Sequence, residues 1–194
     1  MATECSQWIL ASKSPQRKAI LKKWGIPFKA ISSGVSETWG SRKIPSAIVR
    51  EIAKRKAESV ASHYPNHWVI GVDTLVFFDK NRQIGKPKDR EEAKKIIQNF
   101  SGKYCDVYSG VALINKCKKR RIFEAEKTRL FFRKISRKTC EAYLKTGEWK
   151  GRSGAMTLEG AGSVFVRRIQ GDYWNVIGFP AFFLEFIKKM VCNS

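Results

Sequence analysis

A chain of 194 residues with 38 Lys+Arg against 17 Asp+Glu carries a formal charge of +21. Its apolar content of 43%, with twelve Phe and six Trp, excludes a disordered chain and suits one domain with a sizeable core. The charge predicts attraction to polyanions; a solvated basic surface is the plainer reading, and charge constrains partners rather than fold.

Residues 7–12, QWILAS, read as a short buried strand. A helix follows, capped by Ser14, opened by Pro15 and ended by Gly25. Residues 27–34 read as a second strand, before a polar loop holding Glu37. Residues 46–62 show the period of an amphipathic helix, with Ile48, Val49, Ile52, Ala53 and Val60 on one arc. Lys56 falls inside that arc, the one charged side chain aimed inward; Arg50, Glu51, Lys54, Arg55 and Glu58 fall outside it. Residues 67–79 form an apolar strand carrying Asp73, and DKNRQ after it reads as a hairpin turn. Asp89 caps the next helix, Glu92 completes a capping box, and Ser101-Gly102 ends it. Strands at about 104–115 and 121–135 flank the basic turn KCKKRR. Ser136 starts a helix ending near Gly147, and SGAMTLEGAG is a Gly-rich loop. Residues 163–169 and 174–178 read as strand and 181–191 as a closing helix. Strands and helices mix along the whole length, with no linker or repeat. The expected fold is a single α/β or α+β domain over residues 1–194 with a mixed sheet.

The stretch LASKSPQRK runs a strand into a capped helix. It brings helix N–H groups, the hydroxyls of Ser12 and Ser14 and the planar fork of Arg17 to one place, which suits an anion; an ordinary capped helix has the same pattern. Lys56 either snorkels to water or directs a cation into a cleft. A bare carboxylate such as Asp73 is costly to bury in an apolar strand, and Mg²⁺ or a buried hydrogen bond would each account for it. Lys86, in GKP, can reach the same place across the turn or stand exposed in a loop. Together Ser12, Arg17, Glu37, Lys56, Asp73 and Lys86 combine cations for phosphates with two carboxylates for a hard metal ion. They suggest metal-assisted attack of water on a phosphoanhydride, and the absence of a Walker A sequence excludes a P-loop enzyme. Five cysteines, at 5, 105, 117, 140 and 192, are odd in number and lack any C-x-x-C. With only two histidines, that argues against a disulfide framework, a zinc site and His-dependent nucleophilic catalysis. No signal peptide and no apolar run of membrane-spanning length is visible, so the expectation is a cytoplasmic protein without membrane insertion.

Six segments carry a wider resemblance: ILASKSPQRKAILKKWGIPF, AKRKAESVA, VIGVDTLVFFDKNRQIGKPKDREEA, SGKYCDVYSGVAL, YLKTGEWKGRSGAM and GDYWNVIGFP. In this order, over nearly the whole chain, they resemble the Maf family of nucleoside triphosphate pyrophosphatases. The resemblance implies an ITPase-like fold of two lobes around a curved mixed sheet, with the active site in a central cleft. It implies hydrolysis of a nucleotide between the α and β phosphates, giving a monophosphate and pyrophosphate. A divalent cation, Mg²⁺ or Mn²⁺, is implied as cofactor, and homodimers are common. Residue by residue, it assigns catalysis to Glu37, Lys56, Asp73 and Lys86, phosphate contact to Ser12 and Arg17, and the metal to Glu37 and Asp73; Ser14 and Gln16 beside them complete the expected substrate-binding set.

Base preference follows three further positions. In the branch similar to dTTP/UTP hydrolases, two arginines follow SP, Thr follows the aspartate, and Gln lies in the late Gly-rich loop. In the branch similar to 7-methyl-GTP hydrolases these are Trp-Arg, Gln and Glu. Here Thr74 follows the first branch, Glu159 the second, and Gln16 neither. The lean is toward dTTP, UTP and modified pyrimidine nucleotides in a house-cleaning role, with 7-methyl-GTP as the alternative.

A rival from another class is nucleic-acid binding. Residues 116–138 hold eleven Lys/Arg against two Glu, interleaved with Phe123, Phe131 and Phe132. Strand alternation turns many of those aromatics inward, which favours a charged hairpin face instead. Control of cell division by interaction alone is the remaining alternative, and the intact Glu37, Lys56, Asp73 and Lys86 argue against it.

Overall fold

The computed structural model describes residues 8–39, 44–78 and 82–192. Its strands are β1 (Trp8–Leu10), β2 (Lys29–Ala30), β3 (Trp68–Phe78), β4 (Arg82–Ile84), β5 (Tyr104–Asn115), β6 (Arg120–Phe132) and β7 (Val166–Gln170). Its helices are α1 (Pro15–Lys23), α2 (Pro45–Ala61), α3 (Arg90–Phe100), α4 (Arg137–Thr146), α5 (Tyr173–Val176) and α6 (Ala181–Cys192). The sheet runs in the order β2-β1-β3-β5-β6-β7, with β4 paired to β3. β1 pairs in parallel with β2 and β3, whereas β3–β4 and β6–β7 are antiparallel, so the sheet is mixed as expected.

The chain divides into two compact units, one from residues 1–74, 109–126 and 178–194, the other from 75–108 and 127–177. In the first, α2 buries Ile48, Val49, Ile52, Ala53, Ala57 and Val60, and Lys56 with them. The helix lies unusually close to the strands because glycines face it. A Cβ on Gly71 would stand 2.1 Å from the Ala53 carbonyl oxygen, and one on Gly110 2.1 Å from that of Val49. Ile9, Val69, Ala112 and Ile114 close the core beneath Ala53, Ala57 and Val60.

In the second unit, Phe100 of α3 stacks on Phe132 of β6 with ring centroids 4.7 Å apart. Arg90 and Lys94 of α3 both reach Glu141 of α4, the lysine at 2.6 Å. Asp106, buried on β5, accepts a two-pronged bond from Arg129 at 2.7 and 2.9 Å and pairs with Lys127 at 3.0 Å.

Three local expectations change. Residues 173–176 are helical rather than strand: Asp172 accepts the Trp174 N–H at 2.8 Å, and the buried Asn175 amide is tied to Val107 O and Thr128 Oγ1. The strand expected over 27–34 contracts to Lys29–Ala30, an edge strand whose pairing is with β1. Residues 163–165 belong to a 3₁₀ turn, and β7 starts at Val166. The capping box forms with one shift: Asp89 accepts from Glu92 N, but Glu92 Oε2 accepts from Lys88 N at 2.7 Å. Residues 79–81 of the expected DKNRQ turn lie outside the described residues; the strands flanking them pair as a hairpin, Val76 opposite Ile84.

Candidate functional site

Asp73 and Lys56 meet inside the first unit. The Lys56 ammonium lies 2.7 Å from Asp73 Oδ1 and 2.6 Å from Glu37 Oε1. The lysine and aspartate side chains are only 6% and 5% exposed, while Glu37 is 62% exposed. The cation is thus held at the bottom of a small acidic notch, with one buried and one exposed carboxylate. Asp73 Oδ2 is buried without a hydrogen-bond partner among the described residues. A buried orphan acceptor is uncommon and costly, and it marks a place where an incoming group completes the bonding.

Neighbours on α2 hold the loop that carries Glu37. Ser59 donates to the Ser33 carbonyl at 2.8 Å, and Arg55 donates to that of Thr38 at 2.9 Å. One helix therefore supplies both the central ammonium and the clips that set the exposed carboxylate beside it.

Beyond Asp73 the strand presents Thr74. Its Oγ1 accepts from Arg17 Nη2 at 3.1 Å and lies 2.8 Å from Ser109 Oγ. Arg17 Nε donates to the Gly178 carbonyl at 3.3 Å. Burial lowers the pKa of Arg17, and the charges of Asp73 and Glu37 act to raise it again. Two of the five guanidinium N–H groups are committed here, leaving the rest of the fork for other acceptors. At the opening of α1, Ser12 Oγ accepts from Ser14 N at 3.2 Å and Ser14 Oγ from Arg17 N at 3.4 Å. A hydroxyl that accepts keeps its own proton to donate, so both serines combine turn-building with donor capacity.

Of the residues singled out from sequence, Ser12, Ser14, Gln16, Arg17, Glu37, Lys56, Asp73 and Thr74 all belong to the first unit. Gln16 is half-buried on the first turn of α1. Lys86 and Glu159 belong to the second unit. Lys86 is exposed in the segment between β4 and α3; Glu159 is exposed in the Gly-rich loop, its N–H bonded to Thr157 Oγ1 at 3.3 Å. Ser109 and Gly178 are the two contributors that sequence did not single out. The signals available were a serine inside the apolar run of β5 and a glycine ahead of Phe-Pro.

A family model described as Maf-like protein matches residues 7–189. The chain belongs to the Maf family. Among its relatives, a protein of Bacillus anthracis called dTTP/UTP pyrophosphatase is 42% identical over 172 residues, 89% of this chain and 88% of the relative. One of the same name from Bacillus cytotoxicus is 40% identical over 174 residues, 90% of each. Among solved structures, the Ham1 protein of Staphylococcus aureus superposes with a TM-score of 0.53 at 12% identity, covering 94% of this chain and 98% of that one. That likeness establishes the fold, a mixed α/β architecture of the Ham1 type.

Proposed function

We propose that the protein hydrolyses pyrimidine nucleoside triphosphates, dTTP and UTP foremost, between the α and β phosphates, releasing the monophosphate and pyrophosphate. The observation that carries the reading is the buried Lys56 ammonium shared by Asp73 and Glu37, next to the Arg17–Thr74 pair. Relatives 40–42% identical over most of the chain bear the name dTTP/UTP pyrophosphatase, which supports the same choice of substrate.

Asp73 and Glu37 are the residues that would hold a divalent cation. Among the described residues no cluster of three or more His, Cys, Asp or Glu could enclose an ion. A two-carboxylate set with the orphaned Asp73 Oδ2 nevertheless fits Mg²⁺, which takes one or two carboxylates and fills its shell from substrate phosphates and water. Bound there, the ion would polarise the phosphoanhydride and offset its charge.

The chain's own groups do the remaining work. Asp73 Oδ1 is engaged by Lys56, so Oδ2 is the oxygen left to hold the cation and, beside it, to orient the attacking water, whose proton passes to solvent. Water adds to phosphorus, and the bridging oxygen leaves with pyrophosphate. Lys56, fixed between two acids, holds both carboxylates close, and its charge offsets part of that gathering on the phosphates. Ser12, Ser14 and Arg17 bind the phosphate tail from the opening of α1. Lys86 is a further phosphate cation on the strength of the resemblance. On the same ground, Gln16, Thr74 and Glu159 are the positions assigned to base preference.

We extend the proposal to one catalytic domain over residues 1–194, a homodimer, and a cytoplasmic location. No helix among the described residues is long and apolar enough to cross a membrane. Light scattering and cell fractionation test the last two.

The deciding experiment is a panel of dTTP, UTP, CTP, GTP, 7-methyl-GTP and methylated pyrimidine nucleotides with Mg²⁺ or Mn²⁺, resolving pyrophosphate from orthophosphate. Pyrophosphate from dTTP or UTP is expected, and Asp73→Asn is expected to abolish it while remaining folded by circular dichroism. Orthophosphate as product, or full activity of Asp73→Asn, overturns the mechanism. Preference for 7-methyl-GTP would give Glu159 rather than Thr74 control of the pocket.

A further inference from the structure

The hydrolase reading leaves the basic β5–β6 hairpin without a role. Its turn and the first two residues of β6, 116–121 together, hold five cations, Lys116, Lys118, Lys119, Arg120 and Arg121, and no carboxylate. All five are exposed. Among the described residues they make one ion pair, Arg121 with Glu58 at 4.0 Å, the outer limit of such a contact. A basic surface that is merely solvated is usually interspersed with acids; here five cations stand in six residues with Glu58 at 4.0 Å as their one ion-pair partner among the described residues.

The turn is anchored rather than loose. Cys117 N bonds to the Pro65 carbonyl at 3.0 Å, Lys118 N to Asn115 Oδ1 at 2.8 Å, and Asn115 Nδ2 to the Asn66 carbonyl at 3.1 Å. One cation of the turn and one beside it stand over aromatic rings rather than on acids. Lys118 lies 5.6 Å from the Trp68 ring centre, and Lys54 lies 5.8 Å from that of Phe123, on the same hairpin. A ring attracts a cation but does not neutralise it, so the outward charge survives.

We propose that this hairpin binds the phosphate backbone of nucleic acid. Charge complementarity selects a polyanion. The rings select the backbone over the bases: Trp68 and its stacking partner Trp8 are 7% and 3% exposed, so no open platform for base stacking exists there. A lipid surface is disfavoured because, among the described residues, the exposed large apolar side chains, Ile44, Val164, Tyr173, Phe182 and Phe186, all lie outside the hairpin. Duplex and single strand are therefore both bound, without sequence preference, through counterion release.

The test measures binding of the full chain to labelled duplex and single-stranded oligonucleotides by fluorescence anisotropy, from about 50 to about 200 mM KCl. One variant replaces Lys116, Lys118, Lys119, Arg120 and Arg121 with Gln; a control replaces Lys95, Arg137, Lys145, Arg167 and Lys189, removing equal charge elsewhere. Five phosphate contacts predict a log–log salt slope of about −4.5 on duplex and about −3.5 on single strand. The hairpin variant should lose at least about 100-fold in affinity at low salt and most of the slope, while the control stays within about threefold. Nucleotide hydrolysis by the hairpin variant should match the parent, which separates this proposal from the hydrolase reading. Equal losses in the two variants, no binding at low salt, or tighter hairpin-dependent binding to phosphatidylserine vesicles than to DNA each overturns it.

Discussion

Ser109 Oγ lies 2.8 Å from Thr74 Oγ1, and that same threonine oxygen accepts from Arg17 at 3.1 Å. A hydroxyl has one proton and two lone pairs, so a fully buried serine fixes how Thr74, and through it Arg17, is oriented. Ser109→Ala is expected to raise KM for dTTP about tenfold with kcat nearly unchanged, the worth of one hydrogen bond in a charged chain. In a Thr74→Val background the same change should do nothing further. Steady-state kinetics on the two single variants and the double variant check this; additive effects would disprove the relay.

Lys56 is the only cation within ion-pairing distance of Asp73 among the described residues. Lys56→Met strands a buried carboxylate and should cost about 3–5 kcal/mol of stability in urea denaturation. Adding Asp73→Asn to it removes the stranded charge and should recover much of that loss. If the double variant is as unstable as Lys56→Met, packing rather than charge is responsible.

Gly71 leaves no room for a side chain, since a Cβ would meet the Ala53 carbonyl at 2.1 Å. Gly71→Ala should destabilise by about 1–3 kcal/mol and impair hydrolysis, because α2 must move and take Lys56 with it. Gly85→Ala, where a Cβ meets nothing within 4 Å, should leave the melting temperature close to the parent's.

Asp106 gives a pH signature in the second unit. Burial pushes its carboxyl pKa up, but hydrogen bonds and charges from Arg129 and Lys127 outweigh that and hold it below the ordinary value. A depressed folded-state pKa contributes stability at pH values above the unfolded value, about 3.9, and loses it as pH falls through the folded one. Asp106→Asn should therefore be less stable than the parent at pH 7, with a gap that narrows only below about pH 4. Urea midpoints across that range measure it; a gap independent of pH would assign the loss to geometry.

Thiol reactivity sorts by depth. Cys117 and Cys192 are exposed, whereas Cys105 and Cys140 are buried and burial raises both their pKa values. In a Cys5→Ser background, a thiol reagent at pH 8 should titrate Cys117 and Cys192 rapidly and the other two only on unfolding.

The inward aim of Lys56 was legible because five apolar residues of its own helix define the arc it occupies. What it meets was not: Asp73 and Glu37 come from a strand and a loop, and helical periodicity carries no information about partners across the fold. Ser109 and Gly178 escaped for a related reason, since each acts through one tertiary hydrogen bond. The four residues of α5 are too few to show a helical period, and apolar YWNVI mimics a strand; its N-cap, Asp172, was the available sign. Thr74 and Glu159, the positions proposed to set base preference, were readable as positions; Thr74 is engaged by Arg17 and Ser109 within the first unit.

The two glycines that seat α2 stand beside the residues that build the site: Gly71 two positions before Asp73, and Gly110 directly after Ser109. Helix and strands meet there with clearance for a hydrogen atom and nothing larger. Packing and chemistry are thus coupled there, and a side chain at either glycine displaces the acidic notch. Gln16 and Glu159 lie off that seat, on a helix turn and in a surface loop. Under the proposed function they are the places where a change of substrate can be tried without disturbing the Lys56–Asp73 pair.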